Sequence, residues 1–246
     1  MSPTFFASKL KPPDYLIIDD KDDVYHLSKV LRIEKGEKLQ VNYDSKLYLT
    51  LVENINDKEI TCKIISEISD KESKVNVFLC QSLPKKDKWE LILEKCTELG
   101  VFAFIPLQTQ RSIVNLTKEE FAKKHVRWNK IIRETVKQCG RNFVPRLFYV
   151  MNLEECLKLA KEEKADILVA WEGAQEDLKK VFEKGVEDKI FLFIGPEGSF
   201  SEEEIEMLKS FGGKFFNMGP RILKVDTAAI VSSALLLYEK GGLGLL

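Results

Sequence analysis

The chain is poor in the residues that carry covalent and metal chemistry. Only two histidines, His26 and His125, occur in 246 residues, so a Ser–His or Cys–His hydrolase has almost no choice of base. The five cysteines, Cys62, Cys80, Cys96, Cys139 and Cys156, include no CxxC pair. An odd number without framework spacing fits buried thiols, and no metal site is expected. No apolar run is long enough to span a bilayer, and MSPTFFASKLKPPDYL holds neither an h-region nor a cleavage site. The expectation is therefore a cytoplasmic protein with no membrane partner. A strong charge of one sign is missing too: 38 Lys and Arg stand against 39 Asp and Glu. Nucleic-acid binding would have to come from a local patch.

Composition is otherwise that of a globular chain, 44% apolar and 31% charged, long enough for one or two cored domains. Residues 1–70 read as a small β-rich unit. Leu39, Val41 and Tyr43 alternate with polar neighbours, as do Leu47, Leu49 and Leu51, and then Ile60, Cys62 and Ile64. That is the two-residue period of half-buried strands. A short helix over 24–32, with Leu27, Val30 and Leu31 on one side, precedes them. The polar stretch SEISDKESK, 66–74, reads as a linker. From Val75 apolar runs alternate with helical stripes, which predicts an α/β domain over 74–246. Trp89, Ile92, Leu93, Cys96 and Leu99 form one such stripe, stopped by Gly100.

A helix predicted over 118–138 carries Phe121, His125, Trp128, Ile132 and Val136 on its apolar face. Lys123, Arg127, Lys130, Arg133 and Lys137 gather opposite. Such a stripe is either a solvated surface or a phosphate-binding one continuing into Arg141, Arg146 and the Gln110-Arg111-Ser112 turn. His125 reads as a core histidine and His26 as a surface one.

The densest signal lies in 189–239. The buried run Ile190 to Ile194 stops at Gly195-Pro196-Glu197-Gly198, Ser201 and Glu204 stand at capping-box spacing, and a second turn, Gly219-Pro220, follows Phe215-Phe216. The last helix begins near Asp226 or Thr227. Two glycine turns at one edge of a sheet expose backbone N–H groups where α/β proteins bind small ligands. No G-x-G-x-x-G or P-loop is present.

GPEG after a strand, followed by MGPRILKVDTA opening the last helix, resembles the cofactor-binding end of a SPOUT-class RNA methyltransferase. KWELILEKCTELGVFAFIPLQTQRS, RWNKIIRETVKQCGRNFVP and YHLSKVLRIEKGEKLQV are similar to one branch of that class, the bacterial RsmE family. Four motifs in the right order cover nearly the whole chain. The resemblance implies an α/β protein: an N-terminal PUA-like, RNA-binding β-barrel over 1–70, then a SPOUT domain over 74–246 with a C-terminal trefoil knot. It implies S-adenosyl-L-methionine as cofactor, a homodimer, and methylation of N3 of a uridine in 16S ribosomal RNA of the small subunit.

Carried over residue by residue, the cofactor loops map onto Trp171 and Glu172, onto Ile194, Gly195, Pro196, Glu197 and Gly198, and onto Met218, Gly219, Ile222, Leu223, Thr227 and Ala228. Glu197 either holds the sulfonium or a ribose hydroxyl, or accepts from nearby helix N–H groups. Candidates for stabilising the uracil are Arg141 with Asn142, Arg221 and Arg111. Lys29, Arg32, Lys123, Arg127, Lys130 and Lys137 are the expected phosphate contacts. This chain departs from the family where Ser199 replaces a usual glycine, Lys224 an arginine and Asp226 a glutamate, and in lacking an arginine before Phe5-Phe6. Competing expectations are a SPOUT methyltransferase for tRNA or another rRNA site, and a non-catalytic RNA-binding ribosome-assembly factor.

Overall fold

A computed structural model describes residues 4–68, 72–85, 88–114 and 116–243. The expected limits at 1, 70 and 246 lie outside these residues. The chain divides into two units, residues 1–72 with 134–144, and residues 73–133 with 145–246.

The first unit holds strands β1 (Thr4–Phe6), β2 (Lys9–Lys11) and β3 (Tyr15–Ile18), helix α1 (Lys21–Tyr25), and strands β4 (Lys38–Tyr43), β5 (Lys46–Ile55) and β6 (Ile60–Ile68). They form one sheet in the order β1-β4-β5-β6-β3-β2, parallel only at β1–β4. Phe5, Leu16, Ile18, Leu27, Val41 and Val52 are central to its core.

Three expectations change here. Leu47, Leu49 and Leu51 do not share the inner face: Leu47, Thr50 and Val52 are the buried residues of that stretch. A register shift between Leu49 and Thr50 exchanges the faces, because one extra residue reverses a two-residue period. Val30 and Leu31 are exposed although Leu27 is buried. After α1, capped by Asp20, the chain winds as a π-helix over His26–Val30, and Leu31 N–H donates to His26 O at 2.9 Å. The wider turn breaks the expected stripe. Finally, Ser66 to Ile68 belong to β6 rather than to a linker.

The second unit starts with β7 (Asn76–Ser82), α2 (Lys88–Leu99), β8 (Ala103–Gln108) and α3 (Lys118–Cys139), whose C-terminal end belongs to the first unit. It continues through β9 (Arg146–Leu147), β10 (Met151–Asn152), α4 (Leu153–Glu162) and β11 (Asp166–Ala170). Helix α5 (Leu178–Glu183), β12 (Lys189–Ile194), α6 (Glu202–Ser210), β13 (Lys214–Phe216) and α7 (Val225–Glu239) complete it. The sequence reading did not anticipate α4 and α5. All pairings are parallel, in the order β10-β8-β7-β12-β11-β13, with β9 beside β8. The strands therefore end at one common edge. The capping box that opens α6 is formed, with Glu204 N–H donating to Ser201 Oγ at 3.1 Å and Ser201 N–H to Glu204 Oε2 at 2.9 Å.

The segment 134–144 is held within the first unit by charge. Lys137 Nζ lies 2.7 Å from Asp23 Oδ1, and Arg141 Nη2 2.6 Å from Glu72 Oε2. Glu72 also accepts from the N–H groups of Asn142 and Phe143, and Asn42 Nδ2 donates to Asn142 O. Burial raises the pKa of Asp23, against the pull of Lys137. Burial opposes the Lys137 ammonium, but Asp23 and Glu134 outweigh it and hold its pKa above the ordinary value.

Candidate functional site

Along the C-terminal edge of the second unit's sheet, the chain leaves β12, β11 and β13 through glycine turns. Two adjoining cavities, about 90 and about 70 Å³, open there. Ala170, Glu172, Leu223 and Ala228 line both. Trp171, Met218, Gly219, Arg221 and Ile222 complete the first, and Ile194, Gly195, Pro196, Ser199, Phe200 and Val225 the second. Three stretches far apart in sequence thus meet because parallel strands finish side by side.

Local chemistry explains the loop shapes. Gly219 takes φ +93°, open to glycine at little cost. A Cβ on Gly195 would lie 3.2 Å from the buried Phe200 ring, and one on Gly173 only 2.5 Å from the Trp171 ring. Both glycines let a large side chain lie flat against the loop. Ser199, where the resemblance expects glycine, has φ +60°, so the departure falls on a left-handed residue. Its N–H closes a turn onto Pro196 O at 2.9 Å.

A brace from the turn after β8, the next strand but one from β12, holds this loop. Gln110 N–H donates to Glu204 Oε1 at 2.7 Å, and Gln110 Nε2 to Glu203 Oε2 at 2.8 Å. Arg111 Nη1 donates to Gly198 O at 3.0 Å and Phe200 O at 3.3 Å. Beneath the turn, Ser112 Oγ lies 2.9 Å from Ser82 Oγ and 2.8 Å from Thr109 Oγ1.

Of the expected cofactor residues, Trp171, Glu172, Ile194, Gly195, Pro196, Met218, Gly219, Ile222, Leu223 and Ala228 line the cavities. Glu197, Gly198 and Thr227 do not. Glu197 accepts from Lys85 N–H at 3.3 Å rather than from its own helix. Ala170, Ser199, Phe200 and Val225 line them without having been named as cofactor residues. Their signal was adjacency to named loop residues.

Among the candidate base contacts, Arg221 is exposed and lines the first cavity. Arg111 is occupied by the loop carbonyls. Arg141 and Asn142 lie in the first unit and are buried, with the Arg141 guanidinium on Glu72. Lys123, Arg127 and Lys130 are exposed on α3, as are Lys29 and Arg32 after α1, but Lys137 is not. Its ion pair with Asp23 removes it from the basic stripe.

The residues suit an adenosyl group with a charged sulfur. Ile194, Leu223 and Ala228 give apolar walls, Glu172 a carboxylate shared by both cavities. Within the described residues no protein acceptor faces the backbone N–H groups of Met218, Ile222 or Leu223. Ile222, 91% exposed, is the most exposed large apolar side chain among the described residues.

A parallel sheet with ligand-sized turns at one edge, joined to a small β unit, defines a class that sequence families then specify. Residues 71–237 match the family model of an RNA methyltransferase domain, and residues 18–65 that of an RNA methyltransferase PUA domain. The protein is thus of the RNA methyltransferase class. Ribosomal RNA small subunit methyltransferase E of Bacillus subtilis is 30% identical over 228 residues, 89% of this chain and 88% of the relative. Its namesake in Aquifex aeolicus is 30% identical over 217 residues, 87% and 91% of the two chains. The crystal structure of that enzyme from Neisseria gonorrhoeae, bound to S-adenosyl methionine, superposes with a TM-score of 0.84 at 26% identity. It covers 97% of this chain and 98% of that one. The chain belongs to the ribosomal RNA small subunit methyltransferase E family.

Proposed function

We propose that this protein methylates ribosomal RNA of the small subunit with S-adenosyl-L-methionine, at N3 of a uridine in 16S rRNA. The observation that carries the reading is the pair of adjoining cavities, lined by residues of all three glycine-turn stretches. Bound there, S-adenosylmethionine supplies an electrophilic methyl group. The chain positions the reactants and stabilises charge, which suffices for a direct displacement. The N–H groups of Met218, Ile222 and Leu223, with Glu172, orient the adenosyl group, and the apolar walls exclude water. Arg221, in the wall of the first cavity, stabilises the charge that develops on the uracil carbonyls as the N3 proton leaves. Asn142 and Arg141 serve the target base only after Arg141 leaves Glu72.

The same reading takes 1–70 as a PUA-like RNA-binding barrel and 74–246 as the methyltransferase domain of a cytoplasmic homodimer. A trefoil knot in the C-terminal segment is supported by its path: after β13 at one edge, α7 returns to pack on α2, β7 and β12. A homodimer is supported by the outward face of α7, where Val231, Leu235 and Tyr238 are exposed at spacings of four and three, near exposed Ile222 in sequence.

The test is incubation with labelled S-adenosylmethionine and small subunits from cells lacking the modification, followed by nucleoside mass spectrometry. One 3-methyluridine per subunit is expected. Label only in tRNA would overturn the substrate, and a failure to bind the cofactor would favour the assembly-factor reading.

A further inference from the structure

A larger cavity, about 310 Å³, lies in the second unit outside both cofactor cavities and shares no lining residue with them. Its position follows from topology. Leu83 and Pro84 in its wall directly follow β7, and Val114 and Leu116 lie on the loop after β8. β7 pairs with β12 in parallel, Gln81 opposite Ile194, so the cavity opens at the same sheet edge as the Gly195 turn. Lys85, next after Pro84, donates its N–H to Glu197 of that turn.

The lining combines three features. Its floor is aromatic: Trp89 and Trp128 meet edge to face with centroids 5.9 Å apart. Its rim is cationic, with Lys124 and Arg127 both exposed on α3, the latter 2.7 Å from Glu90. Trp89 is 2% exposed, yet its indole N–H has no acceptor among the described residues, which leaves a buried donor unsatisfied there. A slot of mixed polarity, backed by tryptophan rings, with a spare donor and two cations at the mouth, fits a ring that carries acceptors and is tethered to a phosphate. An acidic peptide would use the cations but not the aromatic floor.

We propose that this cavity receives one nucleotide of the RNA substrate, flipped out of its stack, with the base in the slot and the phosphate on Lys124 and Arg127. Because the cavity shares no wall with the cofactor cavities, its occupant is a neighbour of the methylated nucleotide and not the acceptor itself. The proposal rests on the reading of the protein as an RNA methyltransferase and adds a subsite for a flanking base.

The test uses the full chain and small subunits, with K124A, R127A and L116W. The first two remove exposed side chains, and the third fills the slot. Each cation variant should raise the KM for subunits about three- to tenfold and lower the salt slope of RNA binding by about 0.7. L116W should raise KM about tenfold with the slope unchanged. Cofactor Kd, measured without RNA, should be the same in all three. An unaffected KM in L116W would overturn the proposal, even if the cation variants lose affinity, because a phosphate stripe alone would behave so. A changed cofactor Kd in L116W would overturn it as well. If wild type neither binds cofactor nor methylates, the underlying reading fails, an outcome distinct from active wild type with indifferent variants.

Discussion

Arg111 offers the sharpest test of how the cofactor loop is held. One guanidinium nitrogen donates to Gly198 O at 3.0 Å and Phe200 O at 3.3 Å. Hydrogen bonds from a charged donor contribute about 1.5–3 kcal/mol when buried. Arg111 is exposed, so water competes and about 1–1.5 kcal/mol for both together is the better figure. Arg111→Ala should leave the α6 cap in place, since Glu204 keeps its bonds to Ser201 and Gln110. The loop carbonyls alone are released. If S-adenosylmethionine binds the braced loop, its Kd rises about five- to tenfold, at about 1.4 kcal/mol per decade. Titration calorimetry without RNA reads this directly, and Arg111→Lys should recover only part because an ammonium is more strongly hydrated than a guanidinium. The opposite outcome, an unchanged Kd with single-turnover methylation down a hundredfold, would refute the brace and return Arg111 to the uracil.

Four further outcomes follow from the geometry. Gly173→Ala should displace the Trp171 ring, 2.5 Å from the new Cβ, weakening cofactor binding with little change in the urea midpoint. Ser199→Gly removes a left-handed φ of +60° and should stabilise by up to about 1 kcal/mol after the entropy cost of glycine, seen in chemical denaturation. Lys137→Met leaves buried Asp23, whose Oδ2 already has no partner among the described residues, with an uncompensated charge and should cost about 3 kcal/mol. Asp23 has a raised pKa, so stability falls as pH climbs from its unfolded value, and the Lys137→Met deficit should shrink on acidification. Asp226 is shifted the other way: its hydrogen bond from Lys88, 2.9 Å away, lowers its pKa from 3.8. Its contribution is present above pH 3.8 and lost as pH falls through the lower folded value, so Lys88→Met should destabilise by less than about 1 kcal/mol at neutral pH and by nothing in strong acid.

Most elements whose signal is periodic were legible, although α4, with Leu153, Cys156, Leu157 and Ala160 at helical spacing behind an Asn152 cap, was not read. The helix at 118–138 and the Ser201–Glu204 capping box appear with bounds within a residue or so, because 3.6-residue spacing and cap chemistry are local. Helix α5 was missed, being only six residues long, too short for a period to show. The site was legible as three loops, but the brace from Gln110 and Arg111 was not. It joins residues more than 85 positions apart, and only the adjacency of strand ends brings them together.

By itself the sequence determined the family, the α/β alternation of the second unit, and the loops that face a ligand, since glycines, caps and apolar periods are written residue by residue. The tertiary structure alone decided which charges are buried. Lys137 and Lys130 look alike on a helical projection, yet Lys137 is buried against Asp23 while Lys130 stays exposed. Arg141 likewise reads as a cation beside a glycine stop and is found on Glu72. Charge is a property of the side chain, but its availability depends on what the fold places within 3 Å of it, and no local pattern records that.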